Sequence, residues 1–265
     1  MDGSSFHSIY AAMNKLLKYG LIALAGVIVI VLAAAGFIAA TFDPNAYKPQ
    51  IIQLVQEKKG RALNLPGDIK LSFFPNLGLE LGALSLSEHQ SRQEFAAVDE
   101  ARVSVAVMPL LRKEVVVNEV AVKGLKANLV RFKNGRFNID DLLSKEEKSE
   151  QVKFDIGHVL VENAALTFRD EAKDARYAVS GVSLKTGRIA NGVSTPVELA
   201  FSLQGNQPRI ALVTRLKTRL TIDLDKQQYA VEGLALESKG EAAGIGNLVL
   251  KASGDASARP QTGEF

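Results

Sequence analysis

The residues able to do chemistry are few. The chain holds three histidines, His7, His89 and His158, and no cysteine. Without thiols there is no disulfide framework, no Cys-ligated zinc and no thiol nucleophile, and the redox compartment stays open. His89 follows Glu88 in a polar loop, and His158 stands between Gly157 and Val159. Neither has a second ligand at metal spacing, so both read as structural or solvent-facing. The adjacent carboxylates Asp140 and Asp141 open a short helix, where they complement the positive end of its dipole. Gly244-Ile245-Gly246 lacks the third glycine and the strand–helix context of a dinucleotide loop, and no Gly-x-Ser-x-Gly elbow occurs. The sequence therefore predicts no catalytic residue, no metal ligand and no cofactor, and the chain does not read as an enzyme.

Charge adds a further exclusion. There are 32 Lys and Arg against 29 Asp and Glu, a net charge of +3. The bases are interleaved with acids from Lys48 to Lys251 instead of clustering, so no nucleic-acid footprint is present. The one dense charged run, Lys145 to Glu150, is mixed in sign and reads as a solvated linker.

The elements that would position any site begin with a membrane segment. Gly20–Ala40 carries no charge, and at about 1.5 Å per residue it reaches roughly 32 Å, close to the ~30 Å hydrocarbon core. A cleaved signal peptide is the rival reading, but its apolar region runs only to roughly 15 residues. Lys15 and Lys18 precede the segment, with only Asp2 as an acid, and the first base after it is Lys48. That asymmetry puts residues 1–19 in the cytoplasm and everything after Thr41 outside. Next, Asp43-Pro44 is a helix-start signal, and Pro49 would disturb that helix's first turn. The expectation is a turn at Pro44 and a helix from Pro49 to Lys59, ended by Gly60, with Tyr47, Ile51, Leu54, Val55 and Lys58 on one face. Such a helix either caps something apolar near the bilayer or packs on a sheet.

From Asp68 onward the period drops to two. Val103, Val105 and Val107 alternate with Arg102, Ser104 and Ala106; Leu199, Phe201 and Leu203 alternate with Glu198, Ala200 and Ser202. Ile210, Leu212, Leu216, Leu220, Ile222 and Leu224 share a face opposite Arg209, Arg215, Lys217, Arg219 and Asp223. One wet face and one apolar face is the pattern of antiparallel strands covered on one side. Turn signals separate the runs at Asn134-Gly135, Asn191-Gly192, Gly205-Asn206 and Asp225-Lys226. The phrase YAVSGVSLKT (Tyr177–Thr186) returns as YAVEGLALES (Tyr229–Ser238), and Val120–Arg131 is echoed more weakly by Val159–Asp170. Hairpin-sized repeats imply stacked units that bury their apolar faces only beside their neighbours.

The fold expected is mainly β: a transmembrane anchor, a short amphipathic helix, and a curled antiparallel sheet of roughly a dozen strands forming a groove roughly 55 Å long. Candidate lining residues are Leu199, Phe201, Leu203, Leu212, Leu216, Leu220, Ile222, Val231 and Leu234.

The ordered set of motifs carries a family resemblance. FDPNAYKPQI after the anchor, GDIKLSFFPNLGLELGALSLSE (Gly67–Glu88) and FAAVDEARVSVAVMPLLRKEVVVNEVAVKGLKANLVRFKNGRFNIDDLL (Phe95–Leu143) resemble the N-terminal part of the AsmA family, and Thr218–Ser238 resembles a later stretch. The resemblance implies a single-pass protein of the Gram-negative inner membrane with the bulk of the chain periplasmic, linked to outer-membrane biogenesis. It also implies likeness to bridge-like lipid-transfer proteins, with phospholipid acyl chains as partners along an apolar β-groove. The domains expected are 1–19 cytoplasmic, 20–40 anchor, 41–254 β-groove and 255–265 a polar tail or truncation point. The alternative is a non-catalytic assembly factor with a closed β core, whose partners are outer-membrane proteins.

Overall fold

The structure, a computed structural model, describes residues 43–72, 76–110, 116–143 and 155–258. The anchor expected at 20–40 lies outside these residues, as do residues 1–19 and the linker 145–150. No helix among the described residues is long and apolar enough to cross a membrane.

A 3-10 turn, Pro44–Tyr47, leads into helix α1, Lys48–Lys59. Pro49 falls in the first turn of α1, where a missing N–H leaves no bond unmade. Gly60 ends the helix in the left-handed region (φ 63°), its N–H bonded to Gln56 O at 2.9 Å. The packed stripe differs from the expected one. Lys48, Ile52, Val55 and Lys59 are half-buried, while Tyr47 (47%), Ile51 (38%) and Leu54 (54%) stay exposed. The short strand beside the helix decides which stripe is covered, and apolar clustering does not.

The strands run in long lines. The first lines are each broken in two: β1 (Leu63–Asn64) with β2 (Ile69–Ser72), β3 (Asn76–Leu81) with β4 (Leu84–Ser87), and β5 (Glu94–Val98) with β6 (Glu100–Ala106). After the short helix α2 (Val107–Leu110) comes β7 (Val117–Lys123) with β8 (Lys126–Arg131). Backbone bonds carry the ladder through the breaks: Gly67 N to Ala83 O at 2.9 Å, Asp99 N to Lys123 O at 3.1 Å, and Gly124 N to Glu162 O at 2.9 Å. Past helix α3 (Asp140–Leu143) the chain returns as β9 (Asp155–Asp170), β10 (Ala175–Thr186), the short β11 (Ile189–Ala190), β12 (Thr195–Asn206), β13 (Arg209–Asp223), β14 (Gln228–Ala242) and β15 (Ile245–Ala258).

All belong to one sheet of 15 strands, and it is mixed where an antiparallel one was expected. β7 and β8 both lie parallel to β9, β7 along its first half and β8 along its second. A parallel neighbour demands a crossover, and the segment through α3 supplies it. The sheet is open, so the closed core of the alternative reading is not present among the described residues. At the β2 edge the Asn45 side chain imitates a strand: Oδ1 accepts from Ile69 N at 2.9 Å and Nδ2 donates to Ile69 O at 3.1 Å.

The repeats have a structural cause. Gly181 and Gly233, the shared glycines of the two YAV phrases, both sit at φ 60°. Each marks a bulge, between Val179 and Val182 in β10 and between Val231 and Leu234 in β14. The weak echo has the same origin. Gly124 and Asn163 both have positive φ (66° and 52°), and the flanking residues pair side by side in parallel, Val122 with Val161 and Lys126 with Ala165. A bulge of this kind increases local twist, and the two YAV bulges lie in β10 and β14, on either side of the β12–β13 pair. β12 and β13 pair without interruption from Thr195↔Leu220 to Asn206↔Arg209.

A Cβ at Gly181 or Gly233 would meet nothing within 4 Å, so substitution there costs backbone strain alone. Gly181→Ala and Gly233→Ala are each expected to destabilise by about 1–2 kcal/mol, the penalty for an L-residue in the left-handed region. Gly246→Ala, equally uncrowded and without a positive φ, should fall within about 0.5 kcal/mol of the parent. Urea unfolding followed by circular dichroism compares the three.

Candidate functional site

The register places the apolar residues of every line on a single face. Across the C-terminal lines the pairs are Val179↔Leu203, Leu184↔Leu199, Leu203↔Leu212, Leu199↔Leu216, Leu216↔Leu236, Leu220↔Val231 and Ile222↔Tyr229. All nine residues singled out from sequence, Phe201 and Leu234 included, share this face and are half-buried. In the shorter lines alternation marked Val103 and Val105 correctly, but Val107, expected beside them, opens helix α2, and no lining residue was named from these lines. The pairs Leu71↔Leu79, Leu79↔Val103, Val103↔Val120 and Val122↔Val161 continue the face toward the N-terminal edge.

Among the described residues nothing finishes the burial of this face. Every substantial contact between elements joins strands adjacent in the sheet, apart from those of α1 and the 3-10 turn with each other and with β1 and β2. Among the described residues only Ile69, Ala164 and Ala175 are fully buried apolar side chains. Fully buried polar ones are more numerous: Arg61, Ser87, Asn138, Asp170, Thr195, Thr214, Asp223 and Ser238. Two of them interrupt the apolar face as a self-satisfied pair, Thr214 Oγ1 and Ser238 Oγ at 2.9 Å. Tyr177 lies on the face above Gly205, its register partner, where a Cβ would come within 2.6 Å of the ring. It also stacks on Phe168 with centroids 6.4 Å apart.

The opposite face is wet and charged, and its charges alternate across strands. Lys70 meets Glu80 at 3.5 Å, Glu80 meets Arg102 at 3.3 Å, Arg102 meets Glu119 at 3.9 Å, and Glu119 meets His158 at 3.4 Å. Lys217–Glu198 at 3.0 Å and Lys251–Glu237 at 3.9 Å extend the pattern over the later lines. His158 is thus a rung of a surface ladder. Such exposed pairs add little stability each, but opposite charges facing across strands favour one register over its slipped alternatives.

A cavity of about 1120 Å³ lies at one end of the lines, and it is on the polar side. Side chains of Asn128, Thr167, Arg169, Arg176, Gln204 and Asn206 belong to its floor, and the segment Phe132–Asp141 with the β4–β5 turn forms its walls. Behind the wall Arg61 is fully buried. Its Nε and Nη2 donate to the two Asp141 oxygens at 2.7 Å each, Nη1 to Ser87 O at 2.9 Å and Nη2 to Asn138 O, while the guanidinium lies 4.8 Å over the Phe95 ring. Asn138 in turn holds Val130 N at 2.9 Å and Asn128 O at 2.8 Å. Arg61 therefore ties the end of α1, strand β4 and the crossover helix together. Asp140 acts as expected at the helix start, its Oδ2 accepting from Phe137 N at 3.1 Å, but Asp141 is Arg61's partner. Sequence reasoning missed Arg61, whose only local signal is its place after a helix-ending glycine. His89 packs over that glycine, with Nδ1 2.9 Å from Lys59 O. Among the described residues no group of three or more His, Asp or Glu is placed to hold a metal ion.

Comparison with known proteins agrees with the motifs. The AsmA family model matches residues 13–257. Protein AsmA of Escherichia coli (strain K12) is 24% identical over 165 residues, covering 60% of this chain. The match spans 27% of that relative's length.

Removing Arg61 would leave a carboxylate and two carbonyls without their buried donor. Arg61→Met is expected to destabilise by about 3–5 kcal/mol, the range for breaking one side of a buried pair. The hydrogen bonds from Arg61 hold the Asp141 carboxyl below its ordinary range, despite partial burial pushing the other way. A depressed carboxylate pKa contributes stability above the unfolded-state value and loses it as pH falls through the folded one. Stability should therefore drop on acidification below the ordinary carboxylate range, and Asp141→Asn should flatten that part of the profile. Chemical denaturation at a series of pH values checks both.

Proposed function

We propose that this chain, which belongs to the AsmA family, is an inner-membrane-anchored periplasmic protein of outer-membrane biogenesis whose uncovered apolar sheet face carries phospholipid acyl chains. The observation that supports the reading most directly is the face itself. It runs through every line of an open sheet, and no second layer of the described residues lies over it. Contiguous apolar surface on this scale marks an interaction or ligand site in soluble domains. An acyl chain suits it because the face is long, continuous and nearly free of hydrogen-bonding groups, so it can accept length without demanding polar partners. Burial at roughly 25 cal/mol per Å² of apolar area supplies the attraction. Head groups remain in water at the margins. The anchor at 20–40 keeps the chain at the inner membrane, and no residue on the face does covalent chemistry.

A second reading, strand addition to a client protein, is favoured by β15. Its outer side is unpaired among the described residues, and Ile245 (60%), Val249 (55%) and Leu250 (51%) are exposed along it.

The two readings separate on a matched pair of substitutions. Leu220 is half-buried on the apolar face, and Val213 is 50% exposed on the polar one, in the same strand. The full-length chain is isolated under mild conditions and its co-purifying lipid is measured by mass spectrometry. Leu220→Glu is expected to lose most of the bound phospholipid while folding as before, and Val213→Glu to retain it. Equal lipid content in the two variants, or none in the parent, would overturn acyl-chain binding and leave strand addition in front.

A further inference from the structure

We propose that the cavity on the polar face is a binding site for a phosphate group, with Arg169 and Arg176 as its paired donors. The inference rests on the polar face alone and does not depend on acyl chains occupying the other one.

The starting point is an exception to the face's own rule. Elsewhere on this side, register sets cations against carboxylates: Lys70↔Glu80, Glu80↔Arg102, Glu198↔Lys217 and Glu237↔Lys251. At the cavity floor the pattern breaks. Arg169 of β9 stands directly opposite Arg176 of β10, the one like-charged pair in direct register among the described residues. Like charges in opposed positions cost stability, so a sheet that answers its other charges has an unanswered demand here. A local conflict of this kind is where function is expected to reside.

The surroundings answer the pair only on one side. Arg169 reaches Glu171 at 3.2 Å with a single nitrogen. The Arg176 guanidinium meets no carboxylate among the described residues; only its backbone N–H is engaged, by Asn206 Oδ1 at 2.6 Å. Most of the wall carboxylates are already committed. Asp141 belongs to Arg61, Glu88 accepts from Asn138 at 2.7 Å, and Asp140 faces Arg136 at 3.5 Å. Glu94 is the remaining acid of the lining and reaches neither guanidinium, so Arg176 is the group left without a counter-charge.

The ligand class follows from the donors. Two guanidinium groups side by side offer planar forks that match tetrahedral oxyanions, and a phosphate uses both at once. Thr167 and Gln204, in the next row of the floor, add neutral hydrogen-bonding groups for whatever carries the phosphate. The volume, about 1120 Å³, exceeds a bare phosphate and admits a phosphorylated polar molecule or a phospholipid head group.

The test uses the full chain in mild detergent at constant ionic strength. Inorganic phosphate is titrated calorimetrically, and dihexanoyl phosphatidylglycerol is titrated separately below its micelle concentration. Arg169→Gln and Arg176→Gln should each weaken binding by about tenfold, the order of one charge-assisted contact. Arg209→Gln, in the same row but paired with Glu241 at 2.9 Å, should leave it unchanged. Without ligand, Arg176→Gln should unfold at the same temperature as the parent or higher, because it removes repulsion. Saturation by inorganic phosphate would identify a soluble phosphate compound as the source. Saturation by the phosphatidylglycerol alone would identify a head group. Binding of neither, or binding that the two cavity variants leave intact, would overturn the site.

Discussion

Register is the constraint on which everything else depends. In a sheet with one apolar and one charged face, sliding a strand by one residue moves its whole apolar set into the charged side. The long uninterrupted pairing of β12 with β13 fixes that relation over twelve register pairs, from Thr195↔Leu220 to Asn206↔Arg209. The neighbouring lines are held by other means. Bulges at Gly181 and Gly233 each insert a residue, so the side chains beyond return to the correct face instead of drifting. Alternating charges on the wet side penalise the slipped alternatives. Small terms of these kinds suffice because they add along the whole ladder.

The parallel junction is the one place where neighbouring strands cannot specify each other locally. β8 and β9 are separated by a crossover, so their register must be imposed by distant groups. Arg61 does much of this. It binds the crossover helix through Asp141, the chain before it through Asn138 O, and strand β4 through Ser87 O. Asn138 then spans to β8 at Val130 and Asn128. A fully buried guanidinium is expensive unless it is hydrogen-bonded and a counter-charge is close; here each of its three nitrogens donates, and Asp141 supplies the counter-charge. The same lock builds the wall of the polar cavity, so the cavity's shape and the junction's register are one structural fact.

The sequence was informative where the determinant is local. Period-two alternation from Leu199 to Ile222 named a true face, although Leu224, expected on it, falls in the turn after β13 and is exposed; Gly60 ended the helix it was expected to end, and the repeated YAV phrase marked a repeated bulge. It was silent where the determinant is a neighbour. Alternation says which residues share a face but not which strand lies beside which, so an antiparallel sheet was expected and the parallel pairing of β7 and β8 with β9 was missed. The weak echo between Val120–Arg131 and Val159–Asp170 was in fact its trace, since echoed residues pair side by side. Breaks within the early lines hid their length, because each half alternates too briefly to be counted as part of one strand. The stripe of α1 that packs, and the partner of Arg61 eighty residues away in sequence, are likewise set by the assembled sheet.

A domain's apolar surface is normally buried by a second layer, which is what makes the layer pair stable. Here the described residues bury mostly polar groups, in clusters at the rims and in the Arg61 lock, while the leucines and valines of the face stay half-covered by their own neighbours. The sheet therefore gains its order from backbone ladders, rim hydrogen bonds and same-face contacts, and leaves part of the hydrophobic free energy unrealised. Any apolar occupant that binds this face only when the sheet is formed would add its binding free energy to the stability of the fold. Stability and occupancy are then linked, and the uncovered face is a consequence of how the lines are paired and not a defect in their packing.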